Sequence, residues 1–260
     1  MSKTPKQPTP PSGNRREQLQ QQREREARER KLRNIITFSI LGVAVAAIVG
    51  VIVWVALNAR SAPVAEGGGA ATGNYTLVVG EDDAPVTLTI YQDFMCPYCG
   101  DFERANRDDL EALVADGTAK VELHVLNFLD EASQGTKFST RAANALVAVA
   151  KAEPDKVMAF NAAIFDHQPE ENTAGLSDSE IADLARQVGV GNDVIASFAQ
   201  LANADFVTKG TTQAFNTDGI GGTPTIKIDG ADWPTKSDPA GAQYQAGPLK
   251  AAVEAAAATK

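Results

Sequence analysis

The sequence predicts an α/β domain, built on a strand–helix–strand unit with a helical insertion and preceded by a single membrane-spanning helix. Three observations lead there: a 23-residue apolar run without charge, a Cys-x-x-Cys between a strand pattern and a helix pattern, and a long stretch of helical spacing before strand signals return.

The 260 residues are 43% hydrophobic, enough for a substantial core, but the two ends differ in kind. Residues 1–33 hold ten Lys/Arg against four Glu, a net +6, so the remainder carries −15 of the formal −9. An acidic bulk argues against nucleic acid as a partner, because phosphate binding needs a positive surface. Residues 1–14 are Pro-rich and polar, and Arg15 to Arg33 reads as a charged helix without an apolar stripe.

Ile35 to Leu57 then gives 23 positions broken only by Thr37, Ser39, Gly42 and Gly50. At about 1.5 Å per residue the run reaches roughly 34 Å, against a hydrocarbon core of about 30 Å. Arg28, Arg30, Lys31 and Arg33 precede it and only Arg60 follows closely, so the positive-inside rule leaves the N-terminus in the cytoplasm and the rest outside. A cleaved signal peptide is the competing reading, but its apolar region is normally about 7–15 residues. A buried soluble helix would need flanking segments able to cover it, and none is evident. The layout is therefore a cytoplasmic basic tail (1–33), a transmembrane anchor (34–58), a small-residue flexible linker with Gly67-Gly68-Gly69 (59–74) and a folded domain (75–260).

Within that domain Tyr75–Val79 and Pro85–Tyr91 are β-branched and aromatic, and a charged amphipathic run extends to about Ala115. Val121–Leu129 is a further strand candidate, and one helix between two strands fits a parallel βαβ unit. Residues 137 to about 215 show helical spacing. Leu146, Val147, Val157, Phe160, Ile164, Ile181, Leu184, Val188 and the stretch Val194 to Phe206 supply the buried faces, a helical insertion at about 130–216. Ser177-Asp178-Ser179-Glu180 matches a capping box. Thr225–Ile228 reads as a strand, Asp229-Gly230 as a hairpin turn and Pro248–Ala258 as a closing helix.

The chain has two cysteines, Cys96 and Cys99, directly after a strand and at the start of a helix. Unpaired N–H groups and the helix dipole there favour negative charge, so Cys96 is the expected thiolate and nucleophile. Cys99, one turn later, is placed to resolve a mixed disulfide. Pro97 suits the first helical position, where its missing N–H costs nothing, and Tyr98 completes the motif. A structural staple is the bland alternative, but so short a loop removes only about 2 kcal/mol of unfolded-state entropy. A zinc site needs about two more ligands, with only His124 and His167 available besides carboxylates. Both histidines read as packed or solvent-facing groups, and a Cys-His protease would use a lone nucleophile. No organic or metal cofactor is called for.

With Asp93-Phe94-Met95-Cys96-Pro97-Tyr98-Cys99 joined to Gly221-Gly222-Thr223-Pro224-Thr225, the chain resembles the DsbA-like branch of the thioredoxin superfamily over residues 75–260. The resemblance implies a thioredoxin fold with an inserted helical subdomain, a cis bond at Pro224 opposite the cysteines, and a role for Thr223 in presenting substrate backbone. It also implies an extracytoplasmic oxidoreductase that introduces disulfides into cysteine-containing secreted proteins and is reoxidised by a membrane partner of the DsbB or vitamin K epoxide reductase type. A reductase or isomerase, for example in cytochrome maturation, remains the nearest rival, since direction follows potential rather than motif. A tethered non-catalytic binding or chaperone module is the rival from another class. One departure stands out: many relatives have an acidic residue six positions before the first cysteine, where this chain has Ile90.

Overall fold

The computed structural model describes residues 71–72 and 74–260. The basic tail, the apolar run at 35–57 and most of the expected linker lie outside them. Among the described residues no helix is long and apolar enough to cross a membrane.

Six strands form one mixed sheet: β1 (Ala71–Thr72), β2 (Thr76–Val79), β3 (Val86–Asp93), β4 (Ala119–Leu126), β5 (Thr225–Ile228) and β6 (Ala231–Trp233), in the order β1-β2-β4-β3-β5-β6. The central pair β3 and β4 is parallel, in register from Val86 opposite Ala119 to Asp93 opposite Leu126. Helix α1 (Pro97–Ala115) joins them, so the expected βαβ unit is present. All other pairings are antiparallel. The β5–β6 hairpin turns at Asp229 and Gly230, whose φ values of 51° and 83° are both positive, as a tight hairpin turn demands.

Strand alternation sorts the residues by face. Leu88, Ile90, Val121, Leu123 and Ile226 share one face and are nearly inaccessible to solvent. Each such side chain contributes about 1.5–3 kcal/mol on burial, which makes this face the main core. Thr89, Tyr91, Glu122 and His124 share the other.

The insertion supplies α2 (Phe138–Ala152), α3 (Val157–Asp166), α4 (Asp178–Gln187), α5 (Asn192–Ser197) and α6 (Ala204–Asn216), and α7 (Pro248–Ala257) closes the chain. Helix α2 is its centre: twelve consecutive or near-consecutive positions from Phe138 to Ala150 are buried, many of them alanines that admit neighbours closely. The Ser177–Glu180 capping box opens α4 as expected, with both reciprocal bonds formed.

Some boundaries differ from the sequence reading, each for a local reason. Strand β4 stops at Leu126 rather than Leu129, because the Asn127 and Leu129 amides donate to Thr211 Oγ1 and Asp93 Oδ2 instead of a neighbouring strand. Val194 to Phe206 is not one helical face. The chain breaks at Leu201 (φ 49°, 40% exposed), and the Asn203 amide is taken by Asn144 Oδ1. The pairing of Ala71–Thr72 with β2 carries the sheet a few residues into the stretch read as linker.

Candidate active site

Strand β3 ends at Asp93, and the next residues turn sharply into α1. The turn is built by the Asp93 side chain, whose Oδ1 accepts from the Met95 amide (2.9 Å), and by the Asp93 carbonyl, which accepts from the Cys96 amide (3.0 Å). Phe94 and Met95 are fully buried and anchor the turn from below. Cys96 is then the N-cap of α1, with extended backbone and no capping side chain, and Pro97 occupies the first helical position. The helix start is left open toward the sulfur. Pro97 and Tyr98 form the exposed rim, with Tyr98 60% accessible, whereas Cys96 and Cys99 are 5% and 1% accessible.

Both cysteines are free thiols in this structure. They are electrostatically unlike. A hydrogen bond from the Cys99 thiol brings Cys96 down to about 6 against partial burial, helped by Thr223 and the N–H groups of Cys99 and Tyr98. Burial pushes Cys99 well above the ordinary thiol range, and the neighbouring Cys96 adds to it. One thiolate at the open helix start and one protonated thiol beneath it is the arrangement that attack and resolution require.

The second half of the site comes from 127 residues downstream. The Thr223–Pro224 bond is cis and leads directly into β5, and Cys96 Sγ lies 3.4 Å from the Thr223 carbonyl oxygen. The Thr223 hydroxyl is buried without a hydrogen-bond partner, which leaves its proton available to the neighbouring sulfurs. Thr225 Oγ1 donates to the Gly222 carbonyl at 2.7 Å and fixes the loop. The structure therefore brings Cys96, Pro97, Tyr98, Cys99, Thr223 and Pro224 together.

The two histidines lie apart from this chemistry. His124 stacks on Tyr91 with ring centroids 4.3 Å apart and meets Thr76 Oγ1 at 3.2 Å, and burial lowers it to about 4. His167 caps the end of α3, where Nδ1 meets the Ala163 carbonyl at 3.0 Å. Among the described residues no cluster of three His, Cys, Asp or Glu side chains is placed to hold a metal.

Three residues belong to the site although the sequence reading gave them no role. Ile90 is buried in the apolar face, so no carboxylate stands there, but Asp93 is completely buried at the strand end. Its Oδ1 also accepts from Ser139 Oγ (2.6 Å) and its Oδ2 from the Leu129 amide (3.1 Å). Burial raises Asp93 to about 7 against the pull of those three donors, and charge on Cys96 raises it further. Tyr244 sits beside Tyr98, ring centroids 6.2 Å apart. Gln168 donates to the carbonyls of Phe94 and Cys96. A charge ending an apolar strand was a visible signal for Asp93. Nothing local marks the other two.

A thioredoxin fold with a helical insertion, an asymmetric thiol pair at a helix start and a cis-proline beside it define the DsbA-like thiol-disulfide oxidoreductases. A family model described as Thioredoxin matches residues 72–245, and the chain belongs to that family. It is similar to the serine/threonine-protein kinase PknE of Mycobacterium tuberculosis, 36% identical over 160 residues, 59% of this chain but only 28% of PknE. It is also similar to disulfide bond formation protein D of Bacillus subtilis, 32% identical over 109 residues, 42% of this chain and 47% of that protein. The chain thus spans less than half the length of either relative. Among solved structures, reduced DsbG of M. tuberculosis superposes with a TM-score of 0.57 at 25% identity, over 73% of this chain and 95% of DsbG.

Proposed function

We propose that this thiol-disulfide oxidoreductase works outside the cytoplasm, anchored by residues 35–57, and introduces disulfides into cysteine-containing secreted proteins through Cys96 and Cys99. A substrate thiolate attacks Cys96 Sγ, the Cys96–Cys99 bond breaks, and the sulfur of Cys99 leaves and takes up a proton. A second substrate thiolate attacks the mixed disulfide and releases Cys96 as thiolate. Two electrons have passed to the pair, and a quinone-linked membrane partner of the DsbB or vitamin K epoxide reductase type removes them.

The observation that carries the redox reading is the geometry of the pair: Cys96 stands at the open start of α1 beside the cis-Pro224 loop and is lowered to about 6, over a buried Cys99 that is raised. A stabilised thiolate favours the reduced pair, which makes the disulfide a stronger oxidant, and it makes Cys96 a good leaving group in the second step. The exposed rim of Tyr98 and the Thr223 carbonyl beside the sulfur suit an extended polypeptide substrate. The name of the Bacillus relative points the same way, whereas kinase activity belongs to a protein of which the match covers 28%.

Cys96→Ser is expected to abolish oxidative refolding of a reduced substrate protein, and Cys99→Ser to trap mixed disulfides. Full activity in Cys96→Ser would sink the enzyme reading. A pair found mostly reduced in cells would favour the reductase or isomerase alternative, and unimpaired complementation by the double variant would favour a binding or chaperone module. Protease shaving of intact cells tests the topology: residues 75–260 are expected to be cleaved and residues 1–33 protected.

A further inference from the structure

We propose that Gln168, from the helical insertion, is a positioning residue for the thiol pair, and that position 100 is glycine so that the Gln168 amide can reach the start of α1. The inference rests on reading Cys96 and Cys99 as the redox pair. Gln168 Nε2 donates to the Phe94 carbonyl (3.0 Å) and to the Cys96 carbonyl (2.8 Å). The Cys96 carbonyl is the acceptor that opens α1, receiving the amides of Cys99 (3.0 Å) and Gly100 (3.3 Å). One side chain therefore clamps the turn before the nucleophile and the first turn after it.

Gly100 supplies an independent observation. It lies inside α1 with ordinary helical backbone, where glycine costs about 1 kcal/mol relative to alanine. No turn or positive φ demands it. A Cβ there would run into Gln168 Oε1, far inside contact distance, and would stand 2.8 Å from Arg104 Nη1. The glycine makes room for the amide.

The mounting of Gln168 is firm. Arg104 Nη1 donates to the Phe165 carbonyl (3.0 Å), and Arg107 pairs with Asp166 at 2.7 Å, so the end of α3 is fastened to α1 just before residue 168. The physical effect follows from dipoles. Two amide protons facing the Phe94 and Cys96 carbonyls offset the negative ends of those groups next to a sulfur that carries charge in the reduced form. The clamp thus favours thiolate and reduced pair together. The insertion tunes the reaction as well as covering the sheet.

The test uses the full-length protein and its equilibrium with glutathione, together with the pH titration of Cys96 followed by thiolate absorbance. Gln168→Met keeps length and removes both donors. It is expected to shift the equilibrium three- to tenfold toward the protein disulfide, about 30 mV at tenfold, and to move the Cys96 titration upward. Gln168→Glu, which sets a negative charge against two carbonyls, is expected to shift both further in the same direction. In Gly100→Ala the atoms that must give way are the flexible ends of Gln168 and Arg104, so the variant folds and reproduces Gln168→Met. The double variant is expected to be no worse than either single one, because both remove the same contact. Unchanged equilibrium and titration in Gln168→Met and Gln168→Glu, with or without a loss of folding stability, would overturn the proposal. Additive effects in the double variant would overturn the role given to Gly100. A wild-type protein that exchanges nothing with glutathione would instead defeat the redox reading itself.

Discussion

At the scale of single residues, the site depends on two thiols of identical chemistry held in opposite protonation states. Because Cys96 ionises near 6 and Cys99 stays protonated, reduction of the pair takes up one proton per two electrons above about pH 6 and two below it. The reduction potential is therefore expected to change by about 60 mV per pH unit below that point and about 30 mV above it. A single slope through pH 5–8 would contradict the asymmetry. The sign for stability agrees. A thiol depressed in the fold contributes stability that is complete above its unfolded value and lost as pH falls through about 6. The reduced protein should gain on the oxidised one as pH rises across that window.

Two other buried groups act against each other in acid. His124, lowered by burial to about 4, stays neutral in the fold while it protonates in the unfolded chain, so it costs stability as pH falls from 6.5 to 4. Asp93, raised by burial to about 7, stays protonated in the fold where the unfolded chain ionises, so it costs stability as pH rises from about 4 to 7. Their opposition damps the dependence in the wild type. Replacing His124→Gln leaves the Asp93 contribution unopposed. The unfolding free energy of that variant should fall relative to wild type as pH rises from 4 to 6.5, by an amount on the order of 3 kcal/mol. A constant difference between the two proteins would show that His124 is not held neutral.

At the scale of elements, Asp93 is the joint. Its carboxyl oxygens tie the end of β3 to the active turn through Met95, to the segment after β4 through Leu129 and to α2 through Ser139. Asp93→Ala leaves these donors without an acceptor and is expected to cost at least about 2 kcal/mol in a denaturant titration, whereas Ser139→Ala should cost about 1 kcal/mol. Equal effects would mean that the backbone donors carry nothing. The contrast also separates what is legible in the sequence from what is not. The strands, α1, the Ser177 capping box and the Asp229-Gly230 turn declare themselves within a few residues, through periodicity and turn chemistry. So did Cys96 and Cys99. Pro224 needed the family pattern. Asp93 and Gln168 take their meaning from partners 36 to 74 residues away, and the end of β4 was misplaced because side chains from Asp93 and Thr211 capture its last amides. Such long-range polar captures leave no local trace.

At the scale of the whole molecule, a short nucleophilic turn is assembled from three distant parts of the chain. The βαβ unit presents the thiols, the cis-proline loop faces them, and the insertion braces the helix start through Gln168, Arg104 and Arg107. The proposed anchor at 35–57 would keep this assembly at the membrane surface, within reach of the secreted substrates and the membrane partner proposed for it. Deleting residues 1–58 is expected to release the protein from membranes while leaving its equilibrium with glutathione unchanged. A shifted equilibrium would mean that the N-terminal region takes part in the site.

The most direct test of a disulfide-forming role is the reduction potential of the Cys96–Cys99 pair in the full-length protein at pH 7. A value at the oxidising end, about −180 mV or higher, is expected of a pair that introduces disulfides into its substrates. A value near about −270 mV, typical of a reductase, would contradict it.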